Sequence, residues 1–164
     1  MNILFLCTGN SCRSILAEAT FNALAPAGLR AMSAGSQPAG YIHPRSLALL
    51  QREGIPTEGY FSKSWNDLPC TPDIVISVCG NAANETCPAY LGPVMRAHWG
   101  VEDPAKATGS EAEIEAAFEL AYRLLRARIE AFLALNPATL PPAELKTQLD
   151  RIGDLGLSGG LSCI

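Results

Sequence analysis

The sequence predicts a small doubly wound α/β domain, a four-stranded parallel sheet with helices on both faces. Short apolar runs alternate along the chain with segments of helical periodicity. That alternation implies parallel strands joined by right-handed crossovers. The run at 2–6 is continuous rather than alternating in polarity, as a strand buried on both faces is. A length of 164 residues suits one domain around one core.

Residues 2–6 are the first such run, and small polar residues follow it. Residues 12–25 carry Ile15, Leu16, Ala19 and Leu24 at the spacing of an amphipathic helix, with Phe21 off the stripe and Pro26 as its stop. Residues 30–34 read as a second strand closed by Gly35. Residues 44–53 read as a helix with Leu47, Leu49 and Leu50 inward and Gly54 ending it. The β-branched run at 73–78 is the clearest strand, and 94–99 is a weaker fourth. Ser110 and Glu113 form a capping-box signature opening a long helix to about residue 135, with Ile114, Phe118, Ala121, Leu125, Ile129 and Phe132 on one stripe. A Pro-rich break and a short helix from about 141 to 152 follow, then a glycine-rich end that is expected to fray. The organisation expected is thus a compact domain over residues 1–136 and a tail over 137–164, part helical and part glycine-rich.

A formal net charge of −4 and a pI near 5.1 argue against a nucleic-acid or membrane-surface binder, which would carry a basic stripe. An anionic ligand would have to be drawn by a local site. No stretch approaches the roughly 18 apolar residues of a membrane span, and no basic region precedes the first apolar run. The expected location is the cytoplasm. In that reducing compartment the six cysteines are read as catalytic, metal-binding or buried, rather than bridged.

The stretch CTGNSCRS, residues 7–14, sits between the first strand and the first helix. Strand-to-helix loops of such folds bind ligands at the C-terminal ends of strands. Backbone N–H groups there point into the loop's hollow, and the helix dipole adds positive charge, so an anion is favoured. Thr8, Gly9, Asn10, Ser11, Cys12 and Arg13 form the expected oxyanion cradle. Gly9 is expected to supply unusual backbone angles, while Thr8, Asn10 and Ser11 brace the loop with hydrogen bonds. Arg13 offers a planar fork for two oxygens. Cys7 at the base should have a lowered pKa and serve as a thiolate nucleophile, with Ser14 donating to its sulfur. Cys-x5-Arg-Ser is the signature of cysteine-dependent phosphatases. The bland alternative is a buried cysteine beside a surface arginine, which does not explain the glycine, the serine or the position.

Two further groups bear on the chemistry. Asp103, held by Pro104 in an extended or turn conformation, is a candidate acid for protonating a leaving oxygen. Glu102 competes with it, and an ordinary turn aspartate remains open. Cys79 ends the strand at 73–78 as Cys7 ends that at 2–6, so adjacent strands would bring them to about 4.8 Å, within the roughly 4.4–6.8 Å that a disulfide spans between Cα atoms. Cys87 lies eight positions on, across a polar segment. A zinc site lacks a second pair of ligands at suitable spacing, so no metal is assigned. Two free buried cysteines are the bland reading.

Together CTGNSCRS, SAG at 33–35, VCGNAANETCP at 78–88 and HWGVEDPA at 98–105 resemble the thioredoxin-coupled arsenate reductases of the low-molecular-weight tyrosine phosphatase superfamily. The likeness spans about residues 1–135. It implies that Cys7 attacks arsenate held by the loop and Arg13 while Asp103 protonates the departing oxygen. Cys79 then attacks Cys7, releasing arsenite, and Cys87 takes over the disulfide for reduction by thioredoxin, or by a glutaredoxin or low-molecular-weight thiol. Phosphate and sulfate would compete as anions, weak phosphatase activity would accompany the reduction, and no cofactor is implied. The segment between Cys79 and Cys87 is one residue longer than in the family forms it resembles. Some members bind potassium through asparagine, glutamate, serine and aspartate; Asn10, Glu18 and Ser33 match, but Lys63 stands at the aspartate's place, which implies no potassium dependence. The rival readings are a low-molecular-weight protein tyrosine phosphatase and a non-catalytic oxyanion-binding module. Ala105 and Lys106 stand where such phosphatases usually carry aromatic residues, which weighs against the first. Cys12 is expected to pack inward, Cys70 to be buried or inert, Cys163 to oxidise adventitiously, and His43 and His98 to be structural.

Overall fold

The computed structural model describes residues 1–79 and 94–155. Among them, strands β1 (Asn2–Leu6), β2 (Arg30–Ala34), β3 (Ile74–Ser77) and β4 (Met95–His98) form a parallel sheet of order β2-β1-β3-β4. Strands β3 and β4 are each two residues shorter than the expected 73–78 and 94–99, one residue at each end. The reason is visible at their ends: Val78 N–H bonds back to Leu6 and Trp99 N–H to Ser77, so each chain peels off toward the loops at the sheet's C-terminal edge. That edge carries both Cys7 and Cys79.

Helices α1 (Arg13–Leu24), α2 (Pro44–Arg52), α3 (Glu111–Ala134) and α4 (Pro142–Gly153) surround the sheet, with single 3-10 turns at Pro104–Lys106 and Pro137–Thr139. Helix α1 is not amphipathic. Every residue from Ser14 to Phe21 is buried, because α1 packs at once on β1, β2, α2 and α3. Its small residues, Ala17 and Ala19, let those neighbours approach. Helix α2 ends as Gly54 predicts: at φ +75 its N–H reaches Gln51 and that of buried Ile55 reaches Leu50, the paired bonds of a Schellman motif. The capping box of α3 is formed, Ser110 and Glu113 each accepting from the other's backbone N–H at 3.1 Å.

The core is locked by four rings. Phe5, Phe21, Trp99 and Phe132 come from β1, α1, the segment after β4, and α3, with neighbouring centroids 6.0–6.2 Å apart in tilted or edge-on pairs. Such pairs each add about 0.5–1.5 kcal/mol beyond area burial. Beyond Asn136, helix α4 buries Leu145, Leu149 and Ile152 against β4 and α3. Gly153 lies so close to the end of β4 that a Cβ there would stand 2.5 Å from the His98 carbonyl. Among the described residues no helix is long and apolar enough to cross a membrane.

Candidate active site

The loop from Cys7 to Cys12 is held open from outside. Carbonyls of Thr8, Gly9 and Ser11 accept from the backbone N–H groups of Gln37, Ala39 and His43, at 3.0, 2.8 and 2.9 Å. Three of the loop's carbonyls are thus tied outside it, while the Asn10 N–H turns back to the Cys7 carbonyl at 3.3 Å. Cys12 caps α1 without a side-chain hydrogen bond, leaving the first-turn amides of the helix unspent for an anion. Gly35 makes this close fit possible. A Cβ on it would stand 2.5 Å from the Cys7 carbonyl oxygen and closer still to that of Thr8.

The unusual backbone angle falls on Asn10, at φ 43, and not on Gly9 as expected. Asparagine tolerates the left-handed region, and here its side chain repays the strain. Asn10 is fully buried; its Nδ2 donates to Ser14 and Ser33 at 2.8 and 2.9 Å, and its Oδ1 accepts from Lys63 N at 2.9 Å. Ser33 donates onward to Glu18. Burial raises the Glu18 pKa, opposed by the Ser33 bond and the Lys63 charge. The same burial lowers the Lys63 pKa, opposed by Glu18. Lys63 Nζ donates to the Phe61 carbonyl at 3.1 Å and lies 4.6 Å from the centroid of that ring. Ser14 therefore accepts from Asn10, a bond that leaves its own hydroxyl proton to be given elsewhere.

Arg13 reaches across the mouth of the loop. Nη1 donates to the Val101 carbonyl at 2.8 Å, and Nη2 lies 3.4 Å from Asp103 Oδ2. Its Nε is buried with no protein partner, an unspent donor on the residue expected to grip an oxyanion. Asp103 Oδ1 accepts from Ala105 N at 2.9 Å, capping the Pro104–Lys106 turn. Glu102, the competitor, is exposed on the same cleft of about 740 Å³. The structure thus brings together Cys7, Arg13, Asp103 and Cys79.

Adjacent β1 and β3 seat Cys79 against the loop, where its Sγ accepts from Thr8 N at 3.4 Å. The Cys7 thiol is pushed up, not down as the loop alone predicts: first by hydrogen bonding to Cys79, then by burial, while the Arg13 guanidinium pulls the other way. Repulsion between the two sulfurs opposes loss of both protons. Cys12 is buried beneath Ser46, and its thiol rises to about 11 through burial. Cys70 is exposed rather than buried. His43 caps α2 and packs on Phe118, and His98 pairs with Ser77 at 2.7 Å. Cys87 and Cys163 lie outside the described residues.

An oxyanion loop with a basal cysteine, an arginine at the start of the helix and an aspartate facing that arginine, on a four-stranded parallel sheet, is the architecture of cysteine-dependent phosphatases. The sequence model of the low molecular weight phosphotyrosine protein phosphatase family matches residues 2–149, and the chain belongs to that family. Among its relatives, the arsenate reductase of Shouchella clausii (strain KSM-K16) is 37% identical over 131 residues, 79% of this chain and 93% of the relative. That of Bacillus subtilis (strain 168) is 35% identical over the same shares. A solved arsenate reductase in the phosphate-binding state superposes with a TM-score of 0.68 at 26% identity, over 82% of this chain and 97% of its own. A thioredoxin-dependent arsenate reductase of Corynebacterium glutamicum gives 0.58 at 26% identity, over 82% and 62%.

Proposed function

We propose that the protein reduces arsenate to arsenite with its own thiols and passes the resulting disulfide to an external dithiol. The observation that carries this reading is the second sulfur: Cys79 Sγ sits on the amide of Thr8, at the base of the oxyanion loop. Hydrolysis of a phosphoester has no use for a thiol there.

The chemistry runs through three thiolate displacements. Loop amides and Arg13 Nε hold arsenate over Cys7. The Cys7 thiolate forms an S–As bond, and an arsenate hydroxyl leaves as water with a proton from Asp103. Arsenic is still As(V). Cys79 then attacks Cys7 Sγ; the S–S bond forms, the S–As bond breaks, and its electron pair stays on arsenic, which departs as As(III) arsenite. Cys87 next attacks Cys79, freeing Cys7 and leaving a Cys79–Cys87 disulfide for thioredoxin, glutaredoxin or a low-molecular-weight thiol. Cys79 acts after Cys7 is bonded to arsenic, because only then is there an S–As bond for its attack to break. Ser14, accepting from Asn10, keeps its proton for the Cys7 sulfur as Cys7 leaves. With the Lys63 ammonium beside Glu18, the reading carries no potassium requirement.

The rival reading, a tyrosine phosphatase, shares the nucleophile, arginine and acid. Arsenate-dependent oxidation of NADPH, with thioredoxin and glutaredoxin systems supplied in separate reactions, decides between them. The proposal predicts oxidation with at least one system that disappears in Cys79→Ser. Aryl phosphate hydrolysis with no arsenate-dependent oxidation would leave the phosphatase.

A further inference from the structure

Arg128 lies on the core-facing side of α3, between Leu125 and Ile129, where the helical pattern calls for an apolar residue. It is buried, and no carboxylate lies within ion-pairing distance among the described residues. A buried guanidinium is costly unless its donors are spent. Its donors go to two backbone carbonyls. Nε and Nη2 reach Leu155 at 3.1 and 2.8 Å, and Nη1 reaches Gly100 at 3.1 Å.

Gly100 belongs to the five-residue segment that runs from β4 to Asp103. The next carbonyl, Val101, accepts from Arg13. Consecutive carbonyls of this segment are thus held by guanidinium groups from two helices, α3 and α1. Leu155 follows α4, so the same arginine ties α4's end to the segment. Two further bonds run in parallel: Trp99 Nε1 donates to the Leu149 carbonyl at 3.0 Å, and Lys146 Nζ to that of Arg96.

We propose that Arg128 is a positioning residue for Asp103, and that through it the C-terminal helix α4 is part of the active-site scaffold. The inference rests on the reading of Asp103 as the acid. A general acid works only within hydrogen-bond reach of the departing atom, and Asp103 stands three residues beyond the carbonyl that Arg128 grips. Freed from Arg128, the segment stays tied at Trp99 and at Val101 but loses its tie at Gly100, and the carboxyl drifts from the leaving group.

The test is leaving-group dependence, which a purely structural role does not move. kcat/KM is measured for p-nitrophenyl phosphate, whose leaving group needs little protonation, and for phenyl phosphate, which needs much. The proteins are wild type, Asp103→Asn, Arg128→Gln and the double variant, with circular dichroism and Tm for each. Arg128→Gln is expected to lose about tenfold or more on phenyl phosphate and about threefold or less on p-nitrophenyl phosphate. In the Asp103→Asn background it should change the ratio of the two substrates no further. If Arg128→Gln does not fold, Arg128→Lys, which keeps the charge but spans only one carbonyl, and Trp99→Phe, which removes the bond to Leu149, should shift the ratio in the same direction. Equal losses on both substrates, or a further change of ratio without Asp103, overturn the proposal. A normal ratio in Asp103→Asn itself overturns the acid assignment first, and is read from that variant alone.

Discussion

Replacing Gly35 by alanine tests whether the oxyanion loop owes its shape to a single close approach. The added methyl would stand 2.5 Å from the Cys7 carbonyl oxygen, and nearer to that of Thr8. Ordinary contact begins at about 3.4 Å, so the Cys7 carbonyl must retreat by about 0.9 Å and that of Thr8 by more. It cannot do so freely, since its carbonyls are tied to residues 37, 39 and 43 and Gly35 itself is bonded to Lys63 and Trp65. Overpacking of this kind costs about 1–3 kcal/mol, and Tm falls by about 2–4 °C per kcal/mol in a domain of this size. The larger effect is on chemistry: a misplacement approaching 1 Å at a positioned nucleophile costs about 10²-fold. Steady-state arsenate reduction, with circular dichroism to show retained secondary structure, measures it. Wild-type kcat/KM together with an unchanged Tm would refute the reasoning, because the carbonyls would then have room that the geometry denies them.

Cys79→Ser should stop arsenite release while preserving aryl phosphate hydrolysis, which needs only Cys7, Arg13 and Asp103; parallel assays of the two activities check this. Arg13→Lys forfeits the fork that spans Val101, Asp103 and the oxyanion. At about 1.5–3 kcal/mol for each of two charge-assisted bonds, kcat/KM for arsenate should fall by about 10²–10⁴-fold. Glu18 has a raised pKa in the folded state, so the native protein holds the extra proton. The contribution of Glu18 to stability is therefore fully present at low pH and is lost as pH climbs from the ordinary carboxylate value of 4.5 through the folded value. Denaturant titrations of Glu18→Gln across that window should show the slope flattened.

Much of this architecture is readable from local signals. The β-branched run at 74–77, the Ser110/Glu113 box and Gly54 each determine their element through short-range physics, and the structure follows them to within a residue or two. Adjacency of β1 and β3, only a condition in the sequence, is what places Cys79 against the loop. What escaped the sequence depends on tertiary surroundings. Helix α1 carries a weak apolar stripe because its polar Ser14, Glu18 and Thr20 are buried by neighbours from other parts of the chain. The left-handed angle fell on Asn10, since its side chain finds Ser14, Ser33 and Lys63 in the fold, a gain no local rule anticipates. The sign of the Cys7 shift was missed for the same reason: a loop seen alone lowers a thiol, whereas a second buried thiol beside it raises it. Arg128 left one trace, a cation on an apolar stripe, but its carbonyl partners lie 28 and 27 residues away.

In the proposed relay the electron pair that reduces arsenic arrives from Cys79 by way of Cys7. The most direct test of this relay is disulfide mapping by mass spectrometry after one equivalent of arsenate is added to fully reduced protein with no external reductant. The prediction is one equivalent of arsenite, a Cys79–Cys87 disulfide, and Cys7 recovered as a free thiol. Arsenite formed while Cys79 and Cys87 both remain free thiols would contradict it.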